Sequence, residues 1–488
     1  MKRKETAHLK SDAFFVRSKE KEKGMKAGSR LNKFIGTKEF YKRVLRVAIP
    51  IMIQNGITNF VSMLDNIMVG QIGTEQMSGV AIVNQLMYVF NVCIFGAISG
   101  AGIFGAQYFG KGDHEGVRNS FRFKIWICTL FTVIGIFVFL VQGTPLITMY
   151  LHGSSDAGNV EQALYYGQQY LAIMMIGMIP FAIAQMYSST LRECGETVVP
   201  MKAGIIAVCV NMCFNYILIF GKFGMPALGV QGAAIATLIA RFAECAVIIS
   251  WTHRHKDKNP FAVGLYKTLR IPRTLIMLII KKGSPLIINE ALWAAGMAFM
   301  VQCYSVRGLS VVAALNISTT VSNVFNVVFL AMGNSIAILV GQLLGAGKQK
   351  EAKETDTKLI FASVMSCVFI GAFMAIIAPI FPQIYNISDE VKQLARNLIL
   401  IAACCMPLAA FYHAAYFTLR SGGKTFVTFL FDSGFVWVVS IPLAYILSRY
   451  TGLPMVSLYF CCQMADVVKC IIGYVLVKKG IWIQQLTV

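Results

Sequence analysis

Five carboxylates interrupt the apolar runs of this sequence: Asp65, Glu244, Glu290, Asp432 and Asp466. What each can do depends first on its neighbours. Arg241 and Glu244 are spaced i,i+3, as are Asp466 and Lys469, so each pair occupies adjacent positions of one helix face. Both are expected to be self-neutralised structural ion pairs. Asp65 and Glu290 have no opposite charge within a helical turn. A carboxylate deprived of water and of a counter-charge takes up a proton, or binds a bare cation if other oxygens converge on it. Either event ties an ion to a conformation. A hydrated Asp65 near an outer surface is the alternative, because Gly70 and "QIGTEQ" follow closely.

The elements that carry these acids are long and apolar. Of 488 residues 56% are hydrophobic and 14% charged, against about 25% charged in an average soluble chain. Twelve apolar runs, from 44–69 to 454–477, each reach the roughly 20 residues that cross a bilayer as a helix. Alternating ten-residue segments of the β-barrel kind are absent. The expected fold is an all-α polytopic membrane protein.

The formal charge of +21 is sorted by loop. With the N-terminus placed in the cytoplasm, that side holds 37 of the 44 Lys and Arg, and the opposite loops only Lys222, Arg307, Lys392, Arg396 and Arg449. This positive-inside pattern puts both termini in the cytoplasm and makes the charge a topology signal, not a nucleic-acid footprint. Residues 1–46 contain no apolar stretch of signal-peptide type. Leu31, Phe34, Ile35, Tyr41, Val44 and Leu45 approximate helical spacing there, consistent with a surface helix or with an unstructured tail, and Met25 is an alternative start. The thirteen cysteines lie almost entirely in apolar runs without metal-ligand spacing.

The chain also repeats itself. Shifted by 235 residues, Pro50 meets Pro285, Gly73 meets Gly308, "VFNV" at 89–92 meets "VFNV" at 324–327, and "AQYFGKG" at 106–112 meets "GQLLGAG" at 341–347. With small indels, "TLRECGET" at 190–197 meets "TLRSGGKT" at 418–425. Six helices are thus followed by six related ones, and an even number per half makes the repeats parallel around a central cavity. The expected divisions are a basic cytoplasmic tail 1–43, a six-helix bundle 44–252, a cytoplasmic linker 253–270, a second bundle 271–479 and a tail 480–488. Two such bundles rocking about a central site are a common transporter design.

Pro50, Asp65 followed by "NIMVGQIG", "AQYFGKG" after the second run and "NMCFNYILIFG" in the fifth together resemble the multidrug and toxic compound extrusion (MATE) transporters of the MOP flippase superfamily, over about residues 40–480. The resemblance implies export of amphipathic, often cationic, organic compounds in exchange for H+ or Na+. It implies that Asp65 binds the coupling ion. Asn211 and Asn215, which i,i+4 spacing puts on one helix face, match the family's fifth-helix pair, and Thr237 matches a hydroxyl ligand. Relatives with Asp at the second fifth-helix position hold two carboxylates, whereas Asn215 leaves one, enough for a proton and a weaker set for Na+. The seventh-helix acid, Glu290, precedes the family position, where Trp293 stands, and the tenth helix offers only His413.

Glu290 and Trp293 are therefore read as candidate contacts for a cationic compound, by charge and by cation–π attraction. His413 and Asp432 are further cavity candidates, Asp432 lying about eight residues into its run, within reach of water from the cytoplasmic side. His413 and Trp293 equally suit simple packing. No P-loop or Ser–His–Asp context is present, so neither direct ATP drive nor an enzyme is expected, and no cofactor beyond the coupling ion. The chain is expected to be a monomer in the plasma membrane, with membrane lipids as its surroundings and no nucleic-acid partner. Two other readings are a lipid-linked-oligosaccharide flippase, which would line its cavity with unpaired Arg or Lys, and a non-transporting membrane sensor.

Overall fold

The computed structural model describes residues 34–151, 160–385 and 387–487, except the side chains at 60–64, 66, 67 and 309. Most of the N-terminal tail, including Met25 and Leu31, lies outside the described residues. The chain forms α1 (Lys38–Gly70), α2 (Thr74–Lys111), α3 (His114–Leu151), α4 (Val160–Glu193), α5 (Val198–Phe220) and α6 (Gly229–Arg254), then α7 (Arg273–Ser305), α8 (Leu309–Gly345), α9 (Gln349–Ile377) and α10 (Asp389–Ser421). The last two spans are α11 (Thr425–Tyr450) and α12 (Met455–Lys479). The eleven from α2 onward are each long and apolar enough to cross a membrane.

The second half repeats the packing of the first. α2 rests on α3 and α4 as α8 rests on α9 and α10, and α1 meets α5 as α7 meets α11. α2 and α8 are the central helices: 61% and 72% of their most apolar windows are buried, against 17% for α3 and for α12. Phe137 and Leu140 on α3 are about two-thirds exposed, as expected of a face turned to lipid rather than water. One large cluster, including Phe90, Met178 and Tyr187, fills the first half. The first turns of α1 depart from a clean division between halves, because Val44, Val47, Ala48 and Ile51 pack with Leu339, Leu343 and Trp482 of the second half.

At the end of the molecule that carries both described termini, α2 and α8 cross in backbone contact. A Cβ on Gly110 would lie 1.9 Å from the Gln342 carbonyl oxygen, and one on Gly345 would lie 1.8 Å from that of Gln107. These are the repeat-related glycines and glutamines of "AQYFGKG" and "GQLLGAG", so the crossing has an internal two-fold. The glutamine side chains extend it. Gln107 donates to the Ser421 carbonyl at 3.1 Å and Gln342 to the Glu193 carbonyl at 2.8 Å, each serving the last turn of a helix in the other half.

The C-terminal segment lies over this crossing, with Leu486 N–H donating to Gln107 Oε1 at 2.8 Å and Gln485 to the Gly345 carbonyl at 3.2 Å. The segment between halves is held on α3. Arg118 and Arg122 donate to the carbonyls of Phe261 and Leu265, each at 3.2 Å, and both of those side chains are buried in the first-half cluster.

α11 is not the regular helix its sequence predicts. It carries π turns at Leu430–Gly434 and Val436–Ser440. At the first of these turns Asn289 of α7 takes the backbone donor: Ser433 N–H donates to Asn289 Oδ1 at 3.2 Å, and Ser433 Oγ donates to the Asn289 carbonyl at 2.7 Å. A side chain inserted into the backbone ladder widens the turn at that point.

Candidate functional site

Asp65 lies on α1, half-buried, facing α5 and α6. Asn215 Nδ2 donates to Asp65 Oδ1 at 2.5 Å and to Asn211 Oδ1 at 3.0 Å. Asn211 Nδ2 in turn donates to Thr237 Oγ1 at 3.2 Å, and Thr237 donates to the Ala233 carbonyl at 3.0 Å. The four residues singled out from the sequence for cation coupling therefore form one continuous chain across three helices. Asn211 and Asn215 are 5% and 2% exposed, so their amides depend on these bonds for stability in a dry setting. Of the two asparagines' amide oxygens, that of Asn211 accepts from Asn215, whereas Asn215 Oδ1 has no partner among the described residues.

The site opens into a cavity of about 480 Å³ lined by Asp65, Asn84, Tyr88, Asn91, Tyr170 and Arg241, among others. Tyr170 is buried and donates to Asn84 Oδ1 at 3.4 Å. Sequence reasoning missed both, because neither carries a charge and a membrane tyrosine or asparagine has no distinctive spacing.

The expected pair Arg241–Glu244 does not close. Arg241 donates instead to the Gly177 carbonyl at 3.1 Å and lies over the Phe181 ring at 5.1 Å. Gly177 stands three residues before Pro180, whose missing N–H leaves the neighbouring Ile176 carbonyl without its helix donor. Glu244 is acted on electrostatically by Arg192 and Arg241 together.

The second expected pair is also redistributed. Lys469 bonds Asp432 Oδ1 at 2.8 Å, across α11 and α12, and not Asp466 one turn away. Asn289 Nδ2 donates to the other oxygen of Asp432 at 3.1 Å. Asp432 is 8% exposed, so it is the buried anion of an ion pair and not a group wetted from the end of its helix. A cross-helix partner wins because a fully enclosed pair, with the remaining lone pairs bonded, offsets its desolvation better than an i,i+3 pair on a half-exposed face.

Glu290 accepts a hydrogen bond from Tyr416 at 3.3 Å. It thus adjoins the Asn289–Asp432 cluster but lies in the other half from Asp65. Trp293 is half-buried on α7. His413 stacks on Phe329, ring centres 4.7 Å apart, as a packing residue does.

Two charged clusters escaped the sequence reading. Lys124 is fully buried, and its ammonium donates to Ser189 at 3.0 Å, Thr190 at 2.8 Å and both oxygens of Glu193 at 2.7 and 2.8 Å. Asp356, 1% exposed, accepts from Thr418 Oγ1 at 2.5 Å. Thr190 and Thr418 are the equivalent threonines of the two "TLR" motifs, so each half binds its threonine to a charge of opposite sign. Both clusters fall at the edges of apolar runs, where a reader of sequence expects loops; α3 and α9 continue as helices and carry the charges into the protein.

Between the halves, α2, α4, α8 and α10 enclose a second cavity of about 300 Å³. Asn91 lines both cavities, which places the Asp65 site beside the inter-bundle space.

Comparison with known proteins places this architecture. The chain is 23% identical over 432 residues to a protein of Thermotoga maritima described as a probable multidrug resistance protein NorM, covering 88% of this chain and 90% of that one. A probable NorM of Bacillus subtilis is also 23% identical, covering 85% and 90%. Among solved structures, a mutant of the Vibrio cholerae MATE transporter VcmN superposes with a TM-score of 0.81 at 16% identity, over 91% of this chain and 97% of that one. A multidrug resistance MATE family transporter of the MOP superfamily in its outward-facing conformation gives 0.79 at 18% identity, over 93% and 98%. The MatE family model matches residues 50–217 and again 285–446, once in each half. With both halves matched and the fold shared, the chain belongs to the MatE family and is a transporter, not an enzyme.

Proposed function

We propose that this protein is a secondary antiporter that exports small amphipathic organic compounds in exchange for an inward-moving ion, with Asp65 as the ion-binding group. The observation that carries the reading is the unbroken chain Asp65–Asn215–Asn211–Thr237 opening into a cavity that adjoins the inter-bundle space. Loading Asp65 removes its charge and lets α1 repack against α5 and α6. That gives the ion a differential affinity for two arrangements of the first bundle, which is what coupling requires.

A proton is the ion this geometry supports best. There is one carboxylate, and Asn215 presents an N–H to it, leaving the second carboxylate oxygen to carry H+. A Na+ reading draws its support from Asn215 Oδ1, which has no partner: turning that amide over would add an oxygen beside Asp65. Relatives described as multidrug resistance proteins support the substrate class. The basic-loop asymmetry supports placing both termini, and the α2–α8 crossing, in the cytoplasm of a plasma-membrane protein. The crossing would then close the cytoplasmic side, and the bundles 44–252 and 271–479 would move about it, linked through 253–270, within one chain surrounded by lipid.

Proteoliposomes test this. With an imposed pH gradient, transport of a fluorescent organic cation should proceed for the wild type and fall at least tenfold for Asp65→Asn. Transport by that variant at the wild-type rate under the same gradient would refute the role of Asp65. A sodium gradient driving the wild type at constant pH would select Na+ over H+.

A further inference from the structure

The two halves are charged differently at equivalent helix ends. In the first half, the start of α1 and the turn before α5 supply Arg46, Val47 and Glu196, one base and one acid. Thr197 donates to the Arg46 carbonyl there at 3.0 Å, so the two segments adjoin. The 235-residue shift and the aligned "TLR" motifs put Lys281, Lys282 and Lys424 at the same three positions of the second half. The acid has become a base, and the valine another. α7 still packs on the start of α11, and the charges that act on Lys282 are those of Lys424 and Lys281.

No carboxylate answers this cluster. From 258 to 289 the sequence holds six Lys and Arg and no Asp or Glu. Further along the same helices, Glu290 accepts from Tyr416, and Asp432 is bonded by Lys469. None of the three ammonium groups has an ion pair or hydrogen bond among the described residues. The N-terminal segment has the wrong sign to fill the gap, with 11 Lys and Arg against 4 Asp and Glu in residues 1–33.

The cluster also sits at a particular depth. About 20 residues counted back from the far ends of α7 and α11, Ser305 and Tyr450, reach Leu286 and Phe431. The lysines therefore stand within about two helical turns outside the hydrocarbon, level with headgroups. On the apolar side, Ile288 lies two turns beyond Lys281 on the same face of α7, and Phe426 and Leu430 turn outward on α11. These three are 51%, 61% and 51% exposed.

We propose that this end of the second half, where α7 meets α11, binds an anionic phospholipid, its phosphate held by Lys281, Lys282 and Lys424 and its acyl chains along Ile288, Phe426 and Leu430. Its assignment to the inner leaflet rests on the topology reading. Sidedness alone does not call for the cluster, because the first half keeps the same topology with one base and one acid at this place. Three converging ammonium groups repel one another, and a phosphate among them removes that repulsion without drawing the charges into the membrane.

The test uses the purified full-length protein in a neutral detergent, with dioleoylphosphatidylglycerol and dioleoylphosphatidylcholine as probes and native mass spectrometry to count bound lipids. The first phosphatidylglycerol should bind the wild type about tenfold or more tighter than the first phosphatidylcholine. A base near the surface contributes about a fivefold preference for an anionic lipid, so Lys424→Gln should cut the ratio by about that factor. Lys424→Glu, which restores the acid of the first half, should cut it further, and Lys424→Arg should preserve it. Lys281→Gln, at an exposed position, should act like Lys424→Gln, whereas Arg46→Gln should leave the ratio within about twofold. Equal wild-type affinities for the two lipids would overturn the proposal, as would an unchanged ratio in both Lys281→Gln and Lys424→Gln. Glycerol 3-phosphate, an anion without acyl chains, should not displace the lipid at equal concentration; displacement would mark a site for free anions and overturn the lipid assignment. Binding is read without a gradient, so these outcomes are separate from the transport reading.

Discussion

Replacing Gly345 by Ala tests the α2–α8 crossing. A Cβ there would stand 1.8 Å from the Gln107 carbonyl oxygen, where ordinary contact begins at 3.4 Å. The two helices must therefore separate by about 1.6 Å at that point, and the obstacle is backbone, which cannot rotate away. Overpacking of this kind costs about 1–3 kcal/mol, borne only by the state in which the end is closed. The opening equilibrium should then shift about 5- to 150-fold toward open.

Hydrogen exchange at the C-terminal segment reads the shift directly. The Leu486 amide is bonded to Gln107 Oε1 at 2.8 Å, and Gln107 also donates to the Gln484 carbonyl at 3.3 Å. When the crossing opens these bonds are lost, and exchange across 481–487 should accelerate by the same factor as the opening equilibrium. Gln342→Leu, which adds no bulk to the crossing and removes only the bond to the Glu193 carbonyl, should give a smaller acceleration. Exchange in Gly345→Ala indistinguishable from wild type would refute the claim that this contact closes the end.

Other outcomes follow from the same geometry. Lys469→Met alone leaves the Asp432 carboxylate buried without its cation and should lower stability by about 3–5 kcal/mol, whereas Lys469→Met with Asp432→Leu should recover most of that loss, as read by thermal unfolding in detergent. Asn289→Ala removes the acceptor of the Ser433 N–H, so α11 should regain regular helical turns and exchange more slowly around Leu430–Gly434. Glu193→Gln deprives buried Lys124 of its counter-charge and should destabilise the first half by about 3–5 kcal/mol, with Lys124→Met offsetting part of the loss in the double variant.

The membrane class, the helix count and the two-fold repeat were legible in the sequence, because each depends on run length and composition, which no folding step alters. Asp65 was legible for a related reason: a lone carboxylate in an apolar run is costly enough to stand out wherever it ends up. Asn211, Asn215 and Thr237 were found through resemblance and i,i+4 spacing, and tertiary packing brought Asn215 within bonding distance of Asp65 across 150 residues of chain, with Asn211 and Thr237 joined behind it.

What tertiary structure alone decided is the partner of each remaining charge. Arg241 and Lys469 have an acid one helical turn away, but neither pair closes. Arg241 goes to the Gly177 carbonyl and Lys469 to Asp432, because enclosure between helices satisfies a buried cation better than a neighbour on its own helix does. The same holds for Lys124 and Asp356, which sit where runs of apolar residues end and which only the packing of α3 and α9 carries inside. Spacing along one helix says which residues share a face. Which face is dry, and which groups face it from the other half, is settled only when the helices meet.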